Sequence, residues 1–137
     1  MNHLRIGLAA ALLSLSAGAL AGATEDFAAL LDEHWEWRLA SSPVMASMIG
    51  DRRFNDQWQD NSLAGIERRH NQRRDFLRRV YGIERTALSA ADQLNYELFR
   101  RQLQDDVDEY QFNAHLMPFV HRGGVQNLEN ITSQLRL

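Results

Sequence analysis

Cysteine and lysine are both missing from this chain, and proline occurs only twice in 137 residues. Without cysteine there can be no disulfide framework, no thiolate-held zinc finger, no iron–sulfur cluster and no thiol nucleophile. The 15 basic residues are therefore all arginine, a bias that speaks of codon usage more than of function. They are outnumbered by 18 acidic residues, giving a formal net charge of -3. A chain of that sign lacks the basic face that general nucleic-acid binding requires, so no nucleic-acid partner is expected. The common catalytic signatures are missing too. There is no G-x-S-x-G, no phosphate-binding glycine loop and no G-x-G-x-x-G. No segment alternates apolar and polar residues convincingly enough to suggest a strand.

What is present begins with an exported-protein leader. Residues 1–23 read MNHLRIGLAAALLSLSAGALAGA. Arg5 supplies the positive start, an apolar run extends from about Ile6 to Leu20, and small residues fill cleavage-type positions ending at Ala21 or Ala23. That order is the layout of a secretory signal peptide, and the run is short and rich in Ala, Gly and Ser for a stable span. Cleavage after Ala23 would leave residues 24–137, an exported acidic domain that retains every aromatic residue, is periplasmic or extracellular, and keeps no stable membrane span. At that size the burial available for folding is marginal.

Four helices are predicted along residues 24–137. Thr24 can cap a first helix over 25–40, with Glu25 and Asp26 in its first turn and Phe27, Leu30, Leu31, Trp35 and Leu39 at helical spacing. Ser42-Pro43 opens a short helix to about Ile49, with Gly50 as its stop. Residues 51–61 are polar and read as a loop. Ser62 caps a helix to Tyr81, ended by Gly82. Ser89-Ala90-Ala91-Asp92 is a capping-box pattern preceded by Leu88, and it opens the longest helix, 90–114. Pro118 and Gly123-Gly124 mark a second loop, and the segment from Val125 is too short to classify. The fold class is therefore all-α, an antiparallel helical bundle of three to four helices.

The last long helix carries two apolar arcs. Leu94, Leu98 and Phe112 lie near one direction, and Tyr96, Phe99, Leu103, Val107 and Tyr110 lie nearly opposite. Such a helix is packed between two partners. The two preceding long helices could supply both, and a missing neighbour would explain the arcs equally well. An incomplete part of a larger helical fold is thus one expectation.

Polar residues near apolar arcs are the candidate sites. His34 and Arg38 stand one turn apart within the apolar arc of the first helix. They read either as a ligand-facing pair or as a partly buried histidine beside an arginine whose stem packs on apolar surface. Three Arg-Arg pairs occupy 68–79. Most of these side chains read as solvated charge, but Arg69 and Arg73 fall on the arc of Ile66, Phe76, Leu77 and Val80. Buried arginine calls for a carboxylate, with Asp105, Asp106 and Glu109 as candidates. The alternative is anion or substrate recognition. His34, His70, His115 and His121 form no H-E-x-x-H and no i, i+4 pair, so no metal ligands are assigned in this chain.

Three stretches, DEHWEWRLASSPVMASMIGDRRFNDQW (32–58), ALSAADQLNYELFRRQL (87–103) and HLMPFVHRGGVQ (115–126), closely resemble the N-terminal region of the bacterial family called domain of unknown function 885. The resemblance follows an ordered series: Trp-Glu-Trp, Ser-Pro, Gly-Asp-x-Arg-Phe-Asn-Asp, Leu-Ser-x-x-Asp-x-x-Asn-Tyr, and the loop before Gly-Gly. It implies an exported, mostly helical protein similar to zinc metallopeptidases, whose metal motif lies far downstream of the region matched. No catalytic, cofactor-binding or metal residue can be carried over, and zinc is expected only in a full-length member. The expected function is thus an N-terminal helical fragment, non-catalytic by itself. Its partners would be the missing C-terminal region or, in the parent, a peptide substrate. A stand-alone periplasmic helical binding or interaction module is the alternative.

Overall fold

The computed structural model describes residues 3–116, with side chains described from residue 22 onward (Ala114 aside). Four α-helices follow in order: α1 (His3–Ser41), α2 (Pro43–Met48), α3 (Leu63–Tyr81) and α4 (Ala90–Asp108). Short 3-10 turns sit at Arg85–Ala87, Glu109–Phe112 and Ala114–Leu116. Among the described residues there is no strand, so the all-α expectation holds. The loop expected at Pro118 and Gly123-Gly124, His121 and the segment from Val125 lie outside the described residues.

Local chemistry explains most boundaries. Ser62 Oγ accepts the Gly65 N–H at 3.1 Å and Ser89 Oγ accepts the Asp92 N–H at 3.1 Å, so both expected caps are made. The Ser89 hydroxyl also donates to the Asp92 carboxylate at 2.7 Å, a side-chain closure of the same first turn. Pro43 occupies the first turn of α2 as expected, but Ser42 makes no side-chain cap; its carbonyl accepts the Ala46 N–H at 3.1 Å instead. Gly50 stops α2 with φ +95°, a backbone angle that side-chain-bearing residues rarely adopt. Gly65 serves differently: a Cβ there would meet the Asp60 carbonyl oxygen at 2.5 Å, so only glycine lets the 51–61 loop close onto α3.

Two boundaries differ from the sequence expectation. Thr24 lies inside α1 rather than at its start, because the Ala- and Leu-rich residues before it favour helix and nothing there interrupts the backbone ladder. At the other end, α4 stops at Asp108 and not at 114. Its last turns carry Asp105, Asp106 and Asp108, followed by Glu109, and no basic residue. Negative charge at the carbonyl end of a helix opposes the helix dipole, and the chain tightens into the 3-10 turn 109–112. Asn113 then takes a left-handed conformation, φ 53°, and ends that turn.

The three long helices form an up-down-up bundle. Glu33 on α1 pairs with Arg79 on α3, and Trp37 on α1 packs against Phe76, so these helices run antiparallel. Tyr81 meets Arg100 while Arg73 faces Asp106, which makes α3 and α4 antiparallel as well. The core consists of Phe27 and Leu30 from α1, Phe76, Leu77 and Val80 from α3, Leu88, and Tyr96, Phe99 and Leu103 from α4. Phe27 touches both Tyr96 and Phe99, at ring separations of 6.0 and 6.4 Å.

Both neighbours of α4 therefore grip the same arc. Tyr96, Phe99 and Leu103 are buried, whereas Leu94, Leu98 and Phe112 are 62%, 60% and 72% exposed. The second apolar arc has no partner among the described residues. Trp35, expected in the core, is 45% exposed as well, and Trp37 packs against the core instead. The buried side of α1 runs through Phe27, Leu30, His34 and Trp37, which turns Trp35 outward.

Candidate functional site

The open end of the bundle, where α3 begins and α4 finishes, holds a cavity of about 440 Å³. That size is in the range of small-molecule sites. From α3 it receives Ile66, Arg69 and Arg73, spaced three and four residues apart and so on one helix face. From the end of α4 and the turns beyond it come Asp106, Glu109, Tyr110 and His115. A second hollow, of about 340 Å³, shares Arg69 and Gln59 with the first and continues toward Trp37 and Trp58.

The two arginines are incompletely matched. Arg73 Nε stands 4.0 Å from Asp106 Oδ2, an ion pair too long to be a hydrogen bond. Its guanidinium lies 5.9 Å from the Trp37 ring centroid. Arg69 donates to the Asp60 backbone carbonyl and makes no ion pair within 4.0 Å among the described residues, although the charge of Asp60 acts on it. Of the three carboxylates expected to serve these arginines, Asp106 faces Arg73, while Asp105 turns to Arg101 at 3.8 Å. Glu109 lines the cavity without an ion pair among the described residues. Burial, and then the neighbouring charge of Arg73, draw the Arg69 pKa down. Burial pushes the Asp106 carboxyl up, with Arg73 pulling against that effect. The wall thus combines cations with too few donors satisfied and a carboxylate held less acidic than usual.

His34 is 8% exposed and belongs to the core. Its ring meets Phe76 and Phe99 edge-on, with centroids 5.1 and 4.8 Å away. Burial, helped by Arg38 and Arg73, lowers its pKa from 6.5 to about 4, so it is neutral at physiological pH. Arg38 is exposed and makes no ion pair among the described residues. The pair seen in the sequence is therefore split: His34 packs inward, while Arg38 adds positive charge near His34 and Asp106.

An aromatic stack borders the cavity. The His70 and Tyr110 rings lie 3.9 Å apart at 16°, and Tyr110 and His115 lie 4.8 Å apart at 13°. Two imidazoles stacked this closely on one phenol occupy its two faces. Burial, then Arg74 and Arg73, lower the His70 pKa, and its Nδ1 is buried without a hydrogen-bond partner among the described residues. Sequence reasoning considers His70 and His115 only as metal ligands and misses this role. The antiparallel register that joins Tyr81 to Arg100 also sets His70 opposite Tyr110, and that register is the signal from which the stack could be found.

These donors do not suit zinc. His70 and His115 present ring faces to Tyr110, which separates them, and His34 is enclosed by aromatic rings. No cluster of three metal-binding side chains occurs among the described residues. Nor, among the described residues, is any helix long and apolar enough to cross a membrane.

Residues 43–137, more than half of the chain, match the model of a family described as bacterial protein of unknown function (DUF885). The match takes in Arg69, Arg73 and the whole of α3 and α4; His34 and Arg38 precede it. No curated protein and no solved structure matches the chain.

Proposed function

The chain belongs to the DUF885 family, and on that basis we propose that it is the N-terminal helical portion of an exported metallopeptidase-like protein, acting as scaffold and not as catalyst. Export is supported by the order of Arg5, the apolar run and the small residues before Thr24. The scaffold role is carried by one observation, the outward apolar arc of α4. Leu94 and Leu98, one turn apart on α4, are large, apolar and mostly exposed opposite its filled face, and Phe112 in the turn beyond is exposed as well. Exposed apolar surface of this kind marks a place where another surface docks. A further helical part of the full-length protein is the natural occupant, since a helix with two apolar faces needs two neighbours.

Peptide hydrolysis in a zinc peptidase requires an ion held by converging side chains that activates a water. The histidines described above are not placed for that, so zinc chemistry is assigned to none of them. The purified chain, supplied with zinc and a mixture of unstructured peptides, is expected to release no cleavage products above buffer. Chelator-sensitive hydrolysis that follows the protein through purification would overturn the scaffold assignment. The Arg69–Arg73 cavity favours a second reading, a binding module.

A further inference from the structure

We propose that the cavity between α3 and the end of α4 binds a small organic carboxylate, gripped by Arg69 and Arg73 with its apolar body against Ile66. Such a site lies apart from the scaffold role and does not depend on it.

A guanidinium offers five N–H donors in a rigid fork that fits a carboxylate in two-point fashion. Arg69 and Arg73 line one cavity together, yet the hydrogen bond from Arg69 to the Asp60 carbonyl is the one such bond found for the pair among the described residues. Elsewhere in the bundle Arg79 ends on a carboxylate at hydrogen-bonding distance, meeting both oxygens of Glu33 at 2.7 and 2.6 Å. Arg85 likewise meets Glu97 at 2.7 Å. By contrast, Arg73 lies 4.0 Å from Asp106, and Arg69 forms no ion pair with a carboxylate within that distance among the described residues, although the charge of Asp60 acts on it.

Arg69 and Arg73 place two cations on the cavity wall, with Asp106 and Glu109 as the carboxylates that line it. Ile66 supplies apolar lining beside the cations. A ligand of this site therefore carries a carboxylate on an apolar or aromatic body. Both a free organic acid and the C-terminal carboxylate of a peptide have that chemistry.

Isothermal titration of the full chain tests this with two matched pairs. Phenylacetate is compared with phenylacetamide, and N-acetyl-glycyl-phenylalanine with its C-terminal amide. Each acid is expected to bind about tenfold or more tightly than its amide, because a charge-assisted two-point contact is lost in the amide. The tighter acid names the source, a free acid or a peptide end. Arg69→Gln and Arg73→Gln should each erase most of the acid-over-amide preference. Arg101→Gln, on the exposed side of α4, should leave it intact. Asp106→Asn should raise acid affinity severalfold, roughly as expected for removing one nearby negative charge. That gain cannot come from an unfolded variant. Equal binding of acid and amide, no binding of either acid, or a preference that survives in the Arg69→Gln/Arg73→Gln double variant would overturn the proposal.

Discussion

Replacing Phe76 with alanine is expected to lower the unfolding free energy by about 3–5 kcal/mol. The side chain is fully buried. Its ring sits where α1 meets α3, with the His34 ring centroid at 5.1 Å and that of Trp37 at 5.4 Å. Arg79, which holds Glu33 across the same seam, lies 5.7 Å from the Phe76 centroid. Truncation removes the transfer energy of the ring and opens a void that helical backbones cannot collapse to fill. A domain of this size has a total stability on the order of 5–15 kcal/mol, so the loss would populate the unfolded state under mild conditions. Phe112→Ala is the internal comparison. That ring is 72% exposed, and its removal should change stability by no more than about 0.5 kcal/mol. Urea unfolding followed by circular dichroism measures both. Equal effects for the two phenylalanines would mean that the α1–α3 seam is not where the core lies.

Acid should unfold the bundle earlier than its carboxylates alone would dictate. His34 titrates near pH 6.5 when unfolded and is held to about 4 in the fold, first by burial and then by Arg38 and Arg73. A base with a depressed folded pKa stabilises the fold fully above its unfolded value. That contribution drains away as pH falls from about 6.5 through about 4. The difference corresponds to about 3 kcal/mol. His70 is lowered too and acts in the same direction. Glu33, Asp51, Asp60 and Glu84 have lowered pKa values and begin to weaken the fold only below about pH 4.5. Asp106 opposes them, since a raised carboxyl favours the protonated fold at low pH. Stability of the native chain should therefore fall steeply between about pH 7 and 4.5. His34→Leu, which keeps the position apolar and cannot charge, should flatten that slope. Parallel slopes for the two proteins would show that His34 is not the buried base.

Much of this architecture is legible in the sequence because its determinants are local. Ser62, Ser89, Pro43 and Gly50 act on backbone groups within a turn, so their residue types and spacing suffice. The arc of Tyr96, Phe99 and Leu103 is readable from period alone. Which arc is covered is not, because that depends on where α1 and α3 lie. The same limit governs Trp35 and Trp37. Two residues apart, they differ by more than half a turn, and only the position of the neighbouring helices decides which is inside. The early end of α4 needs the summed effect of Asp105, Asp106, Asp108 and Glu109 on one helix terminus, weighed against good helix propensity. Helical period carries α4 on to Ala114, whereas the helix ends at Asp108. An α-helix continued to Ala114 would turn Tyr110 differently, which is why its stack with His70 and His115 escapes a reading by helical period.

Whether the outward face of α4 is a docking surface is tested most directly by sedimentation velocity over a range of concentrations. The full chain is compared with a Leu94→Gln/Leu98→Gln/Phe112→Gln variant. The native chain is expected to self-associate as concentration rises, because its outward apolar arc can pair with that of another copy. The variant should associate markedly less at unchanged helicity, since all three side chains lie outside the core. Equal association of the two proteins, or loss of helicity in the variant, would mean that this arc is not a free docking face.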